Sequence, residues 1–84
     1  MTNPIVDYII ENNAEAWLID NMNEALIGTS WGENGIIAVY SYEKIVLLLM
    51  RDGMDEVEAE EWFSYNIEGA YMGPGNPIYV KTQH

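Results

Sequence analysis

Almost every residue in this chain whose type could do chemistry is a carboxylate. The stretch "RDGMDEVEAEEW" (residues 51–62) places six acids within the eleven positions that follow Arg51. Nearer the start, Asp7, Glu11 and Glu15 recur every four residues. Asp20 and Glu24 repeat the step, and so do Glu56 and Glu60. On a continuous helix such residues stand on one face at intervals of about 6 Å, which resembles the phosphate separation along one strand of nucleic acid. Like charges at this spacing cost about 0.2–0.5 kcal/mol each. A chain selected for stability alone would more often alternate Glu with Lys, yet no Lys or Arg precedes Lys44. Two readings follow. The acids are a solvated face that keeps the protein soluble, or they imitate phosphates toward a surface rich in Lys and Arg.

Other chemistries find little material. A calcium loop of the EF-hand type needs oxygen ligands at positions 1, 3, 5 and 12, with Gly at 6. Counted from Asp52, Gly53 is second, Met54 third and Phe63 twelfth, so the pattern fails. There is no cysteine, which excludes disulfides and thiolate metal sites. The one histidine is His84, the last residue, so Cys–His and Ser–His nucleophile pairs are not expected. Pairs of carboxylates could act on glycosidic bonds. Acids this common make no single pair informative, and a domain this small has little room for a cleft. "GTSWGENG" and "GAYMGPG" lack the Gly-Lys-Ser/Thr of a phosphate loop and read as turns. The expectation is a non-enzymatic protein with no cofactor and no metal.

The elements that must position these residues are read from capping and periodicity. Asn3-Pro4 opens a first helix, with Asn as the cap and Pro in its first turn. Leu18, Met22, Ala25 and Leu26 continue an apolar stripe at helical spacing. Residues 4–12 and 14–26 are thus read as one bent helix or two, with a break at Asn12-Asn13. "GENG" (32–35) marks a turn between a weaker strand, 27–31, and a β-rich apolar strand, 36–40. Ser41 caps a helix over 42–51, whose run Ile45–Met50 is apolar on every side and predicts an enclosed, central element. Gly53 suits a left-handed helix end with Met54 folding back on Leu49. Asp55 and Glu58 form a capping-box pair for a helix over 55–68. Ala59, Trp62, Phe63, Asn66, Ile67 and Ala70 make one stripe predicted to be buried. "GPGNP" (73–77) is a turn-rich loop before a last strand, 78–80, for which antiparallel pairing is expected. Residues 81–84 read as a fraying tail.

The fold class expected is α+β: residues 1–84 as one acidic domain, with three to four helices packed on a sheet of two or three strands. The apolar share of 49% argues against disorder despite a net charge of −11. Such a body repels nucleic acid and anionic lipid, which require clustered cations, and is drawn to basic surfaces. Direct nucleic-acid binding and membrane binding are therefore not expected. The N-terminus "MTNPIVDYII" has no basic segment of a signal peptide, and "IVLLLM" is too short to span a bilayer. A soluble cytoplasmic protein is the expectation.

The stretch from "VYSYEKIVLLLMRDGM" through "EAEEWFSYNIEGAYMGPGNPIYV" resembles a set of small acidic proteins encoded by bacteriophages and some bacteria. These carry a Tyr-rich strand end, a helix, and then the pattern DGM..EA.E.F..N..GA..G...P. The resemblance implies phage or prophage origin and a shared fold, and with the cytoplasmic expectation above the location expected is the cytoplasm of a host cell. It carries over no catalytic residue. The same residues also have folding roles: helix ends at Gly53 and Asp55, close packing at Ala59, turns at Gly69 and Gly73, and a strand start at Pro77.

Tyr8, Trp17, Trp31, Tyr40, Tyr42 and Tyr71 exceed what a core of this size can bury, and exposed Tyr or Trp ringed by acids makes a protein-binding patch. The expected partner is a host protein with a basic surface, of which a nucleic-acid-binding surface is one kind. The residues expected to meet it are Asp7, Glu11, Glu15, Glu56, Glu60, Trp31 and Tyr42. The alternative is a small structural or accessory protein that self-associates through its aromatics, as a homodimer for instance, and whose acidity serves only solubility.

Overall fold

The computed structural model describes residues 3–70 and 73–81. Helix α1 (Pro4–Asn12) begins where Asn3 accepts the Ile5 N–H on its side chain at 2.9 Å, with Pro4 at the first helical position. It ends at Asn13, whose backbone is extended. The Asn13 side chain then does two jobs. Its Nδ2 donates to the Ile36 carbonyl at 2.9 Å, and its Oδ1 accepts the Glu15 N–H at 3.1 Å.

The helix expected over 14–26 is not formed. Residues 14–22 run as turns and extended chain, followed by one short 3-10 turn at Asn23–Ala25. The physical reason lies in where the donors go. The Trp17 N–H donates to the Gly75 carbonyl at 3.0 Å, and the Ile19 N–H to the Tyr40 hydroxyl at 2.9 Å. Distant acceptors thereby take donors that a helix would use internally. Asn21 adopts a φ of 64°, a left-handed turn that Asn tolerates. Met22, Ala25 and Leu26 are buried, as their spacing suggested, but along an irregular path.

Strands β1 (Leu26–Gly32) and β2 (Gly35–Ser41) form an antiparallel hairpin closed by Glu33-Asn34. A register shift between Leu26 and Gly28 leaves Ile27 as a bulge. Strand β3 (Ile78–Val80) completes the sheet in the order β1-β2-β3. It pairs with β2 in parallel, through Val39↔Ile78, Tyr40↔Tyr79 and Ser41↔Val80, which corrects the antiparallel expectation. The chain leaves β2 into two helices before it returns. A helical crossover of this kind brings a strand back in the same direction.

Helix α2 (Tyr42–Arg51) is capped by Ser41, whose Oγ accepts the Lys44 N–H at 3.2 Å. It closes as a Schellman ending: the Gly53 N–H reaches the Met50 carbonyl at 3.0 Å, and the Met54 N–H reaches that of Leu49 at 3.3 Å. Gly53 supplies the required positive φ, 112°. Ile45, Val46, Leu48 and Leu49 are buried, but Leu47 is 61% exposed. The helix is therefore an outer layer and not an enclosed element. It packs on β2, the helix that follows it and the 3-10 turn, which leaves the Lys44, Leu47 and Arg51 side uncovered.

Helix α3 (Glu56–Phe63) starts from a complete capping box. Asp55 accepts the Glu58 N–H at 2.8 Å, and Glu58 accepts the Asp55 N–H at 3.5 Å. The helix widens into a π turn over Ser64–Glu68. The row Ala59, Phe63 and Ile67 faces the core. Trp62 is 38% exposed, Asn66 is exposed and Ala70 only half-buried, which narrows the stripe expected to be buried. Trp62 and Asn66 each sit one position before a member of that row, and Ala70 lies past the end of the π turn. Trp62 instead lines an apolar cleft of about 260 Å³ with Trp17, Pro77 and Tyr79. In the loop before β3, Gly75 lies against the Glu15 backbone so closely that a side chain there would collide with it. The Gly75 contact and the Trp17 bond fix the irregular segment to this loop.

Candidate protein-binding face

Four aromatic rings run from the core to the surface. Tyr40 is fully buried and stacks on Tyr79, with centroids 6.1 Å apart and planes 28° from parallel. Phe63 meets Tyr79 edge-on at 5.1 Å and Tyr42 edge-on at 4.9 Å. Tyr42 is the outer member. Its hydroxyl donates to Glu60 Oε2 at 2.9 Å, and the Lys81 ammonium lies 5.0 Å from its ring centroid.

The electrostatics follow from this placement. Burial, then the Glu60 contact and the charges of Glu60, Glu43 and Glu68, push the Tyr42 phenol up to about 12. Burial, with Tyr40 and Glu68, does the same for Tyr79, also to about 12. Tyr40 is raised by burial, partly offset by the N–H it accepts from Ile19.

Around Tyr42 the outer faces of α2 and α3 form two adjoining depressions, of about 400 Å³ and 290 Å³, with Tyr42 and Glu60 in both. The first also takes in Val57, Glu61 and Tyr65, and the second Glu43, Leu47 and Glu56. Val57 is 64% exposed and Tyr65 83%. Apolar side chains thus stand open to solvent beside four carboxylates, those of Glu43, Glu56, Glu60 and Glu61. Such a surface can hold a cation and desolvate the apolar stem that carries it.

The seven residues expected to meet a partner fall in three places. Tyr42, Glu56 and Glu60 come together on this face. Trp31 stands apart on β1, 84% exposed. Asp7 and Glu11 are exposed on α1, but Glu15 lies beyond the helix end. The ladder Asp7, Glu11, Glu15 is therefore broken after two members, because Asn13 diverts the chain into its bonds with Ile36 and Glu15. Asp20 and Glu24 do not share a helix either. Glu24 sits in the 3-10 turn and grips Arg51 with both oxygens, at 3.2 and 3.3 Å. Tyr71 and His84 lie outside the described residues.

Leu47, Val57, Glu61 and Tyr65 were missed as members of the face. The signal available was their position: each lies off the rows Ile45–Leu48–Leu49 or Ala59–Phe63–Ile67, so an apolar residue there points outward. A separate depression of about 440 Å³ lies beside Asn13–Trp17, Asn34 and Pro74, and brings in one ionisable residue, Glu15. Among the described residues no three of His, Cys, Asp and Glu are grouped to hold a metal ion, and no helix is long and apolar enough to cross a membrane.

Compared with known proteins, the chain matches no family model, no curated protein and no solved structure.

Proposed function

We propose that this is a non-enzymatic, phage-encoded protein that acts in the host cytoplasm by occupying a basic, nucleic-acid-binding surface of a host protein. The observation that carries the reading is the face around Tyr42, where Glu43, Glu56, Glu60 and Glu61 line the same two depressions as exposed Leu47, Val57 and Tyr65. The net charge of −11 steers a cationic partner from a distance. The apolar members then hold it by desolvation. Lys81 over the Tyr42 ring supports the same reading, since it is a cation already held against a residue of the face. The sequence pattern from Val39 to Val80 supports phage origin. Imitation of phosphates rests on Glu56 and Glu60 and on Asp7 and Glu11, the two pairs that keep the four-residue step on a helix.

The test is capture of a partner from bacterial lysate on the immobilised protein, followed by binding measurements at about 0.05 and 0.5 M salt. The expected partner has a Lys/Arg groove, is displaced by duplex DNA, and binds roughly tenfold or more weakly at the higher salt. Glu56→Lys combined with Glu60→Lys slows association and leaves the circular dichroism unchanged. A partner that binds equally at both salts and ignores this double reversal refutes the proposal.

A further inference from the structure

Strand β1 is an outer strand of the sheet, and its seven residues carry no charged side chain. Among the described residues, the Leu26 N–H closes the preceding 3-10 turn on the Asn23 carbonyl, and no backbone hydrogen bond joins Ile27–Gly32 to any segment other than β2. Free edges in soluble proteins are ordinarily blunted by lysine, by proline or by a covering element. Among the described residues β1 carries no lysine and no proline, and the bulge at Ile27 lies close to the start of the strand. Exposure alternates along β1, with Ile27 at 39%, Thr29 exposed and Trp31 at 84%.

These three residues are spaced symmetrically about Thr29. We infer that β1 pairs antiparallel with β1 of a second copy of this chain, about a two-fold axis at Thr29, to make one continuous six-stranded sheet. That register sets Thr29 opposite Thr29 of the second copy, and Ile27 opposite Trp31 twice. Thr–Thr and aromatic–β-branched pairs are favourable cross-strand neighbours. The interface is self-complementary, so one pairing satisfies both edges.

Charge selects this occupant over others. Two bodies of −11 repel, so they approach most readily through a stretch without carboxylates. The flanking acids in sequence, Glu24 and Glu33, lie outside the strand. A cationic partner finds nothing on this edge to pair with. The pairing needs no basic host protein and answers differently to salt. Screening weakens the repulsion between copies, so self-pairing strengthens as salt rises, whereas binding to a basic surface weakens.

The test is sedimentation equilibrium of the whole chain up to about 1 mM, at about 0.05 and 0.5 M salt, with amide hydrogen exchange across the same concentrations. The average mass is expected to climb from 9.6 kDa toward twice that value, more readily at the higher salt. Exchange at β1 amides slows in step. Thr29→Glu, which sets like charges face to face on the axis, weakens association roughly tenfold, and Trp31→Ala roughly three- to tenfold. A mass that stays at 9.6 kDa at about 1 mM and the higher salt overturns the inference. So does a dimer whose β1 amides exchange at the monomer's rate. Were Thr29→Glu to lose its fold, the exchange measured on the unaltered chain still decides.

Discussion

Tyr42 and Trp31 are both aromatic residues with access to the surface, but they are held in opposite ways. Tyr42 is anchored from below by Phe63 and through it by Tyr79, and from the side by Glu60. Trp31 stands on a strand edge, with a residue on each side that is only half-buried or exposed. The first sits among carboxylates, and the second in a stretch with none. Placement of charge, more than apolarity, then sets what each region can meet. An acid-lined face selects cations and repels its own kind. A charge-free edge is blind to cations and can approach a copy of itself.

The comparison breaks most easily at its anchor. Phe63→Ala removes the ring that joins Tyr42 to Tyr79 in the core and is expected to cost about 3–5 kcal/mol of stability, measured by chemical denaturation. A loss below about 1 kcal/mol would mean that the four rings are neighbours without being a support.

Alkaline pH offers an intermediate test. The Tyr42 and Tyr79 phenols are held near 12, above the ordinary value of 10.0. A folded pKa above the unfolded one means that the folded state keeps these protons longer. Their contribution is full below about pH 10 and is lost as pH rises toward 12. The melting temperature is therefore expected to fall across that window, and Tyr42→Phe to make the fall shallower. An unchanged slope in that variant would show that Tyr42 is not held as described.

The smallest effect belongs to the other region. Trp31→Ala is expected to change the stability of dilute, monomeric protein by less than about 0.5 kcal/mol, because an exposed side chain has little packing to lose. Set beside Phe63→Ala, the value measures how differently the two regions hold an aromatic ring. A cost as large as that of Phe63→Ala would place Trp31 in the core and end the contrast.

What could be read from the sequence was decided within a few residues. The Asn3 and Ser41 caps, the Asp55–Glu58 capping box, the Gly53 ending and the Glu33-Asn34 turn each depend on neighbours in the chain, and all five form as read. The α+β class followed from them. What could not be read was decided across the fold. Residues 14–22 forgo a helix because Gly75 and the Tyr40 hydroxyl take the donors of Trp17 and Ile19. No local pattern announces those acceptors. The broken acid ladder has the same origin in the bond from Asn13 to Ile36. Part of the candidate face was legible, in Tyr42, Glu56 and Glu60. Leu47 was not, because it lies in an apolar run that reads as core on every side, and Val57 and Tyr65 were not, because only the packing of α2 beside α3 brings them next to Tyr42.

The parallel pairing of β3 also bears on the order in which the molecule assembles. The hairpin of β1 and β2 closes through a two-residue turn, a contact that a growing chain makes within microseconds. β3 meets β2 only after both helices have been laid down between them, so its docking closes the longest loop in the sheet. Until Ile78–Val80 emerge during synthesis, Tyr40 has no Tyr79 to stack on, and one long flank of β2 lies bare. At that stage the sheet ends on the seven-residue β2, where the finished sheet ends on the three-residue β3. The dense carboxylates of α3, already synthesised by then, repel neighbouring chains during that interval and keep the half-built sheet from pairing with the wrong partner.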